Sequence, residues 1–305
     1  MITLSLNPVG FEPVTKVLFQ HQALVDSIVC LMGIGMITQP CMWMSGNQTF
    51  DFLLCQVWHS QGLYWTWVLL SIWNIMYISV ERFIKINYPC RHRHTPVRDV
   101  CRGFTILYIL GFLCLIPEYF QVRYDTDEGK CFADFYKCSE GFEMFMDGWS
   151  VVWFLISYII PIATFIGIYV TTILTIEKRK GNLRNQCRDS FTASQLYEKE
   201  SKYITRTVVA VAIVFVLSLS WETLQYLLSA MGVAKYHKND PLQRIGVFLA
   251  TFNSCVNPFI YCVFLKCFRN SLKNTFKCQK PDDDCGDKKD EISVPLSKLE
   301  EDAIE

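Results

Sequence analysis

From Val151 to Ile176 the chain runs 26 residues without a charged side chain. About 20 mainly apolar residues in a helix cross the hydrocarbon core of a bilayer. Five further blocks share this character. Ile245 to Leu265 has no charge over 21 residues, and Phe52 to Val80 has no Asp, Glu, Lys or Arg. Val17 to Trp43 holds only Asp26, and Thr207 to Ala234 only Glu222. Gly103 to Phe120 is the shortest and ends in Pro117-Glu118. Helices buried in a soluble core are seldom this long or this uninterrupted. The blocks also lack the two-residue alternation of membrane strands. The expectation is an all-α membrane protein with spans at about 17–43, 52–80, 103–120, 151–176, 207–234 and 245–265. Residues 1–15 read as a short cytosolic segment without the pattern of a signal peptide.

Charge between the blocks gives an orientation. Arg82, Lys85, Arg91, Arg93, Arg98 and Arg102 lie between the second and third blocks. Lys178, Arg179, Lys180, Arg184, Arg188, Lys199, Lys202 and Arg206 lie between the fourth and fifth, and Lys266, Arg269, Lys273 and Lys277 follow the sixth. Alternating spans put all three sets on one side, which the positive-inside rule makes the cytosol. Glu118 to Asp147, on the other side, holds eight acids against Arg123, Lys130 and Lys137. The sequon Asn47-Gln48-Thr49 is on that side too and makes Asn47 a candidate glycosylation site. Six spans place both ends, and so the C-terminus, in the cytosol at the plasma membrane. The formal net charge of zero argues against a nucleic-acid partner.

Several motifs fall at the ends and centres of these blocks. Glu81-Arg82-Phe83 closes the second block, with Pro89 beyond it, and Asn257-Pro258-Phe259-Ile260-Tyr261 lies near the end of the sixth. The first can be a plain snorkelling arginine and the second a plain proline kink. Taken together, from about Gln22 to Cys278, the chain resembles the rhodopsin-like (class A) G-protein-coupled receptors. In that resemblance the first block corresponds to the family's second helix and the sixth to its seventh. A seven-helix receptor bundle with six spans present is therefore expected, its membrane domain covering 16–278. The missing first helix reads as an incomplete gene model.

The resemblance assigns roles by position. Glu81, Arg82 and Phe83 match the acid-Arg-aromatic switch, and Asn257, Pro258 and Tyr261 the NPxxY motif. Tyr169, eight residues after Pro161, joins them at the G-protein face. Ile72 matches the contact beneath Pro161, and Trp221 the core switch tryptophan. An acid at mid-membrane costs on the order of 3 kcal/mol. Asp26, Ser71, Asn253, Ser254 and Asn257 match the polar positions lining the family's sodium pocket, so a sodium ion is the implied modulator. An Asp26 hydrogen-bonded by these groups without an ion is the other reading. Cys55 matches the extracellular disulfide cysteine, with Cys131 its preferred partner and Cys138 the alternative. Its spacing to Arg82 resembles some invertebrate-type peptide and orphan receptors. Residues 266–278 fit a short interfacial helix ending in Cys278, which is either palmitoylated or a plain thiol. Residues 279–305, with Ser293 and Ser297, read as a disordered acidic tail.

Some positions depart from the pattern. Thr223 stands where a proline is expected two residues after Trp221, and the aromatic expected four before Trp221 is Leu217. Phe215 lies two positions away, so this register can slip. The third block also lacks the family's mid-helix tryptophan. Tyr64 replaces the acid of amine receptors, and Thr251 replaces the lysine that carries retinal in opsins. The ligand expected is a peptide, drawn as a basic one by the acidic loop, with Tyr64, Trp65, Glu222 and Gln225 as candidate pocket residues. Implied partners are a heterotrimeric G protein, arrestin, a receptor kinase and membrane lipids. A truncated, non-signalling receptor and a membrane transporter are the competing readings. No catalytic constellation occurs, so no enzyme activity is expected.

Overall fold

The computed structural model describes residues 13–38, 44–87, 96–120, 122–132, 140–185, 191–233, 240–264 and 269. Its helices are inverted relative to those of a soluble protein. In α1 (Pro13–Thr38) the buried stripe includes Thr15, Gln22 and Asp26, whereas Leu31 and Ile34 face outward. The same holds in α9 (Pro241–Phe264), where Asn253, Ser254 and Asn257 are buried and Phe259 is 70% exposed. Apolar side chains turned outward and polar ones turned inward are the arrangement a lipid solvent favours. Six helical stretches are long and apolar enough to cross a membrane: Pro13–Thr38, Gln48–Ile84, Val97–Glu118, Met144–Thr175, Val209–Ser229 and Pro241–Val263. The chain is a multi-pass, all-α membrane protein.

Several boundaries differ from the hydropathy reading. Helix α1 starts at Pro13, ahead of the expected domain edge at residue 16. Proline suits a first helical position, where its missing N–H has no helical partner to lose. The second stretch starts at α2 (Gln48–Leu53), capped by Asn47, whose side chain accepts from the Phe50 N–H at 3.2 Å. It passes through a π-helical turn (Leu54–His59) and a break at Gln61, with φ of 60°, into α3 (Gly62–Asn87). The third starts at Val97, so Arg98 and Arg102 lie on α4 (Val97–Leu113). Pro117 sits in the first turn of a separate short helix, α5 (Ile116–Tyr119). A short hairpin, β1 (Arg123–Asp125) and β2 (Lys130–Phe132), follows, its turn closed by Gly129 at φ 60°.

Helix α6 (Glu140–Phe154) joins α7 (Ile160–Asn185) through a second π-helical turn (Leu155–Ile159). Pro161 explains the irregularity, since it has no N–H for the carbonyl four residues back. Helix α8 (Phe191–Ala230) continues well before the apolar block it contains. The expected interfacial helix at 266–278 (but for Arg269), Cys138, Cys278 and the tail at 279–305 lie outside the described residues.

The most buried helix is α3, which packs against α1, α4, α7, α8 and α9. Around it α1 meets α9, α9 meets α8, and α8 meets α7, while α4 leans on α3 and α1. The central core contains Val29, Leu69, Ile72, Phe165, Phe215 and Leu219. A second cluster at the Arg82 end joins Leu18, Phe19, Ile78, Phe104 and Tyr261. At the opposite end Cys55 and Cys131 form a disulfide, with Val122 packed beside it. The bond ties the hairpin to the entry of α3.

Two close constraints have measurable consequences. A Cβ on Gly33 would collide with Thr251, its Cγ2 only 2.7 Å away. Gly33→Ala should therefore lower stability by about 1–3 kcal/mol, read as a fall in Tm, and Thr251→Ala in the same chain should recover part of it. Cys131→Ser should cost about 2–4 kcal/mol and accelerate hydrogen exchange across 123–132. An unchanged Tm and exchange pattern would mean the hairpin is held by other contacts.

Candidate functional site

Asp26 is 5% exposed, halfway along α1, and three helices supply its partners. Ser71 on α3 donates its hydroxyl to Asp26 Oδ1 at 2.6 Å. Asn257 on α9 donates from Nδ2 to Asp26 Oδ2 at 3.0 Å. Ser254, also on α9 and 2% exposed, reaches the same carboxylate. These three are positions the sequence named. Asn253 is buried, but among the described residues it is not a partner of Asp26.

Two participants were missed. Gln22, one turn before Asp26 and 0% exposed, donates from Nε2 to Asp26 Oδ1 and to Ser71 Oγ, each at 2.9 Å. Asn74, one turn after Ser71, donates from Nδ2 to Gln22 Oε1 at 2.6 Å. The signal was present: each lies three or four residues from a named polar residue, on one helix face. An unpaired polar group is costly in this setting, and these side chains are accordingly linked to one another through hydrogen bonds.

At one end of the bundle Arg82 pairs with Glu81, Nε to Oε2 at 3.5 Å, with both side chains largely buried. Thr15 on α1 donates to the other carboxylate oxygen of Glu81 at 3.2 Å. The Arg82 guanidinium lies 5.7 Å from the centre of the Phe19 ring, and Phe19 meets Tyr261 edge-on at 4.9 Å. Phe83 is half-buried on the same turn. Glu81, Arg82 and Tyr261 therefore form one unit, with Thr15 and Phe19 as unforeseen members. Tyr169 does not join it. It is 38% exposed and lines an apolar cleft between α7 and α8 with Ile162, Phe165, Val209 and Val216.

The core position expected of Trp221 is not where the residue sits. Trp221 is 39% exposed, and its indole N–H donates to the Leu242 carbonyl at 2.9 Å. The face of α8 turned inward carries Phe215, Leu219, Glu222 and Tyr226. Trp221 lies two residues from Leu219, about 200° around the helix, and therefore points away. Leu217 is 69% exposed while Phe215 is 1% exposed, so the inward register is the one shifted by two residues. Phe215 packs edge-on against Phe165 at 5.8 Å and stacks with Tyr158 at 6.0 Å. Pro161 and Ile72 are both buried, as expected of core positions.

The candidate ligand residues are mostly packed away. Tyr64, 0% exposed, donates to the Val247 carbonyl at 3.0 Å and shares a hydrogen bond with Thr251 at 2.9 Å. Trp65 is buried against the Tyr64 ring, and the carboxyl of buried Glu222 lies on the Gly246 backbone, where no side chain would fit. Gln225 is half-buried. More accessible charge at this end belongs to the hairpin. N–H groups of Glu128 and Asp127 donate to Asp125 at 3.2 and 2.9 Å and hold its carboxyl below the usual carboxylate range, aided by Arg123. Asn47 is exposed near this end.

Known proteins sharing this framework include rhodopsin of Sminthopsis crassicaudata, 24% identical over 237 residues, covering 76% of this chain and 63% of that protein. The C5a anaphylatoxin chemotactic receptor 1 of Oncorhynchus mykiss is 22% identical over 275 residues, covering 87% and 72%. Galanin receptor 2a of Danio rerio is 21% identical over 264 residues, covering 82% and 66%. The chain thus spans a little under two thirds of the rhodopsin's length. The family described as "7 transmembrane receptor (rhodopsin family)" matches residues 3–261, which include the buried acid, the Glu81-Arg82 pair and Pro258 within α9. With most of its length inside that match, the chain belongs to the rhodopsin family of seven-transmembrane receptors, a family of receptors and not of enzymes.

Proposed function

We propose that this chain is a receptor that passes an extracellular signal to a heterotrimeric G protein, and that Arg82 is its switch. The observation that carries this reading is the Glu81–Arg82 pair, braced by Thr15, Phe19 and Tyr261. A partly buried pair can hold its arginine in one state and release it to another partner in the next. In the closed arrangement Arg82 is held within the bundle and 15% exposed. Release of the pair frees the guanidinium at the end where Arg98, Arg102 and Arg206 gather, the side we assign to the cytosol. The G protein binds there, and arrestin and a receptor kinase are further partners.

Movement of α8 relative to α7 opens this end. The inward contacts of α8 are Phe215 and Leu219, so they carry the core switch in place of Trp221. Tyr169, already in the cleft between α7 and α8, joins the open state only after that movement.

The signal enters at the disulfide-held hairpin. Tyr64 and Thr251 satisfy one another, and Glu222 is packed on α9, so the candidate pocket is filled by its own side chains. A ligand acting at this end meets the hairpin and the outer ends of α8 and α9 first. Asp125, Asp127 and Glu128 favour a basic peptide there. Relatives named for anaphylatoxin, galanin and melatonin and several opsins match at similar identity, so likeness alone favours no ligand class.

The test is nucleotide exchange on G proteins in membranes carrying the full chain, without added ligand. Glu81→Gln removes the charge that holds Arg82 and should raise basal exchange by up to about tenfold, the equivalent of about 1.4 kcal/mol. Arg82→Ala should reduce exchange to the level of untransfected membranes while surface expression persists. Leu219→Ala should change basal exchange and Trp221→Ala should not. If Glu81→Gln and Arg82→Ala both leave exchange at background, the non-signalling reading replaces this one.

A further inference from the structure

The family resemblance places a sodium ion beside Asp26, and the residues present do not fit one. A hard cation needs several oxygen lone pairs converging on one point with no hydrogen between. Here the Asp26 and Ser71 oxygens already accept hydrogen bonds from donors of the chain itself. Asp26 Oδ1 receives the Ser71 hydroxyl at 2.6 Å and the Gln22 amide at 2.9 Å, and Oδ2 receives Asn257 at 3.0 Å. Ser71 Oγ also accepts from Gln22 at 2.9 Å. A position 2.9 Å from both Asp26 Oδ1 and Ser71 Oγ, from which an ion could bridge them, is held by Gln22 Nε2.

That nitrogen has no lone pair to offer a cation, and both of its N–H bonds are in use. Its orientation is set from behind. Asn74 donates to Gln22 Oε1 at 2.6 Å, which fixes the amide with its N–H groups toward Asp26. Asn74 also lies 3.5 Å from the Leu18 carbonyl, anchoring it to the backbone of α1. Gln22, Asp26, Ser71, Asn74 and Asn257 are all at most 5% exposed, which shields these bonds from bulk solvent. Displacing Gln22 would leave a buried amide without partners and undo the Asn74 contact as well.

We propose that the Gln22 side-chain amide is the resident counter-group of Asp26, standing where a sodium ion would sit, and that this junction binds no sodium. Asn74 is its positioning residue. The junction of α1, α3 and α9 is then held by a neutral donor built into the chain, and its stability does not follow the salt outside the cell.

The test needs neither ligand nor G protein. The full chain is purified in detergent and melted in sodium chloride and in choline chloride at equal ionic strength. Wild-type Tm should agree between the two salts to within about 1 °C. Gln22→Ala removes the donors and vacates the position, so its Tm should fall in choline and rise saturably in sodium, by about 3 °C or more. Adding Asp26→Asn to Gln22→Ala should abolish that rise. If Gln22→Ala does not fold, Gln22→Ser is read the same way. Saturable stabilisation of the wild type by sodium, lost in Asp26→Asn, would overturn the proposal. So would a folded Gln22 variant that shows no response to sodium.

Discussion

A carboxylic acid in the middle of a lipid-embedded helix must be met by donors, and the bundle is built around meeting that need for Asp26. Its donors come from α1 itself, α3 and α9, so satisfying it brings three helices to one point. The same stripe of α1 continues in both directions. Thr15, Phe19, Gln22, Asp26, Val29 and Gly33 succeed one another at alternating spacings of four and three, the spacing of one helix face. Toward one end this stripe holds Glu81 and Arg82, and toward the other Gly33 lies against Thr251. A rotation of α1 that improved one of these contacts would break the others. The polar centre, the arginine pair and the close approach of α9 are therefore one constraint.

Beyond Gly33 several described groups of the interior pair with one another. Thr251 bonds Tyr64, Gln243 donates to Gln61 at 2.6 Å, and Glu222 rests on Gly246. Small residues at Gly33 and Gly246 permit this, because a side chain at either would push α9 away from α1 or α8. Tyr64 carries no carboxylate to pair with an ammonium, and Thr251 no amine to form a Schiff base. Their geometry adds that each is the other's hydrogen-bond partner. The disulfide carries the connection outward, from the first turns leading into α3 to an ionised hairpin.

The sequence was most informative where one property decides the outcome. Block length and charge anticipated six long apolar helices among the described residues, because a helix needs about 20 mainly apolar residues to cross a bilayer. Asp26 and Arg82, among the costliest residues to place in lipid, stood out for the same reason. Partnerships were harder to read. Gln22 and Asn74 look like ordinary polar residues until the rotation of α1 against α3 sets them face to face, and Thr15 lay beyond the expected edge of the domain. Trp221 failed differently. A motif counted from its tryptophan placed that residue inward, while the inward face of α8 is set by Phe215 and Leu219 packing on Phe165 and Tyr158. Tryptophan has an N–H that finds the Leu242 carbonyl at the end of α9, and an amphipathic ring of that kind is stable facing outward near a helix end.

The distribution of irregularities completes the picture of how such a bundle moves. Helix α9 contains Pro258, which frees the Ser254 carbonyl one turn from Asp26. The α6–α7 span has its π-helical turn at Leu155–Ile159, immediately before Pro161. Helix α8 has no proline, and two of its described hydroxyls, Ser220 and Thr223, are turned back on its own backbone. Thr223 donates to the Leu219 carbonyl at 2.6 Å, and Ser220 donates to the Val216 carbonyl while sharing a bond with Tyr158. Back-bonding of this type bends a helix less than a proline does and leaves its hydrogen-bond ladder intact. Of the three, only α8 has neither a proline nor a π-helical turn, and an apolar cleft separates it in part from α7. In the proposed switch, displacement at the Arg206 end of α8 is carried by rotation of the helix about the Phe215–Leu219 contact, since α8 holds no proline to absorb it.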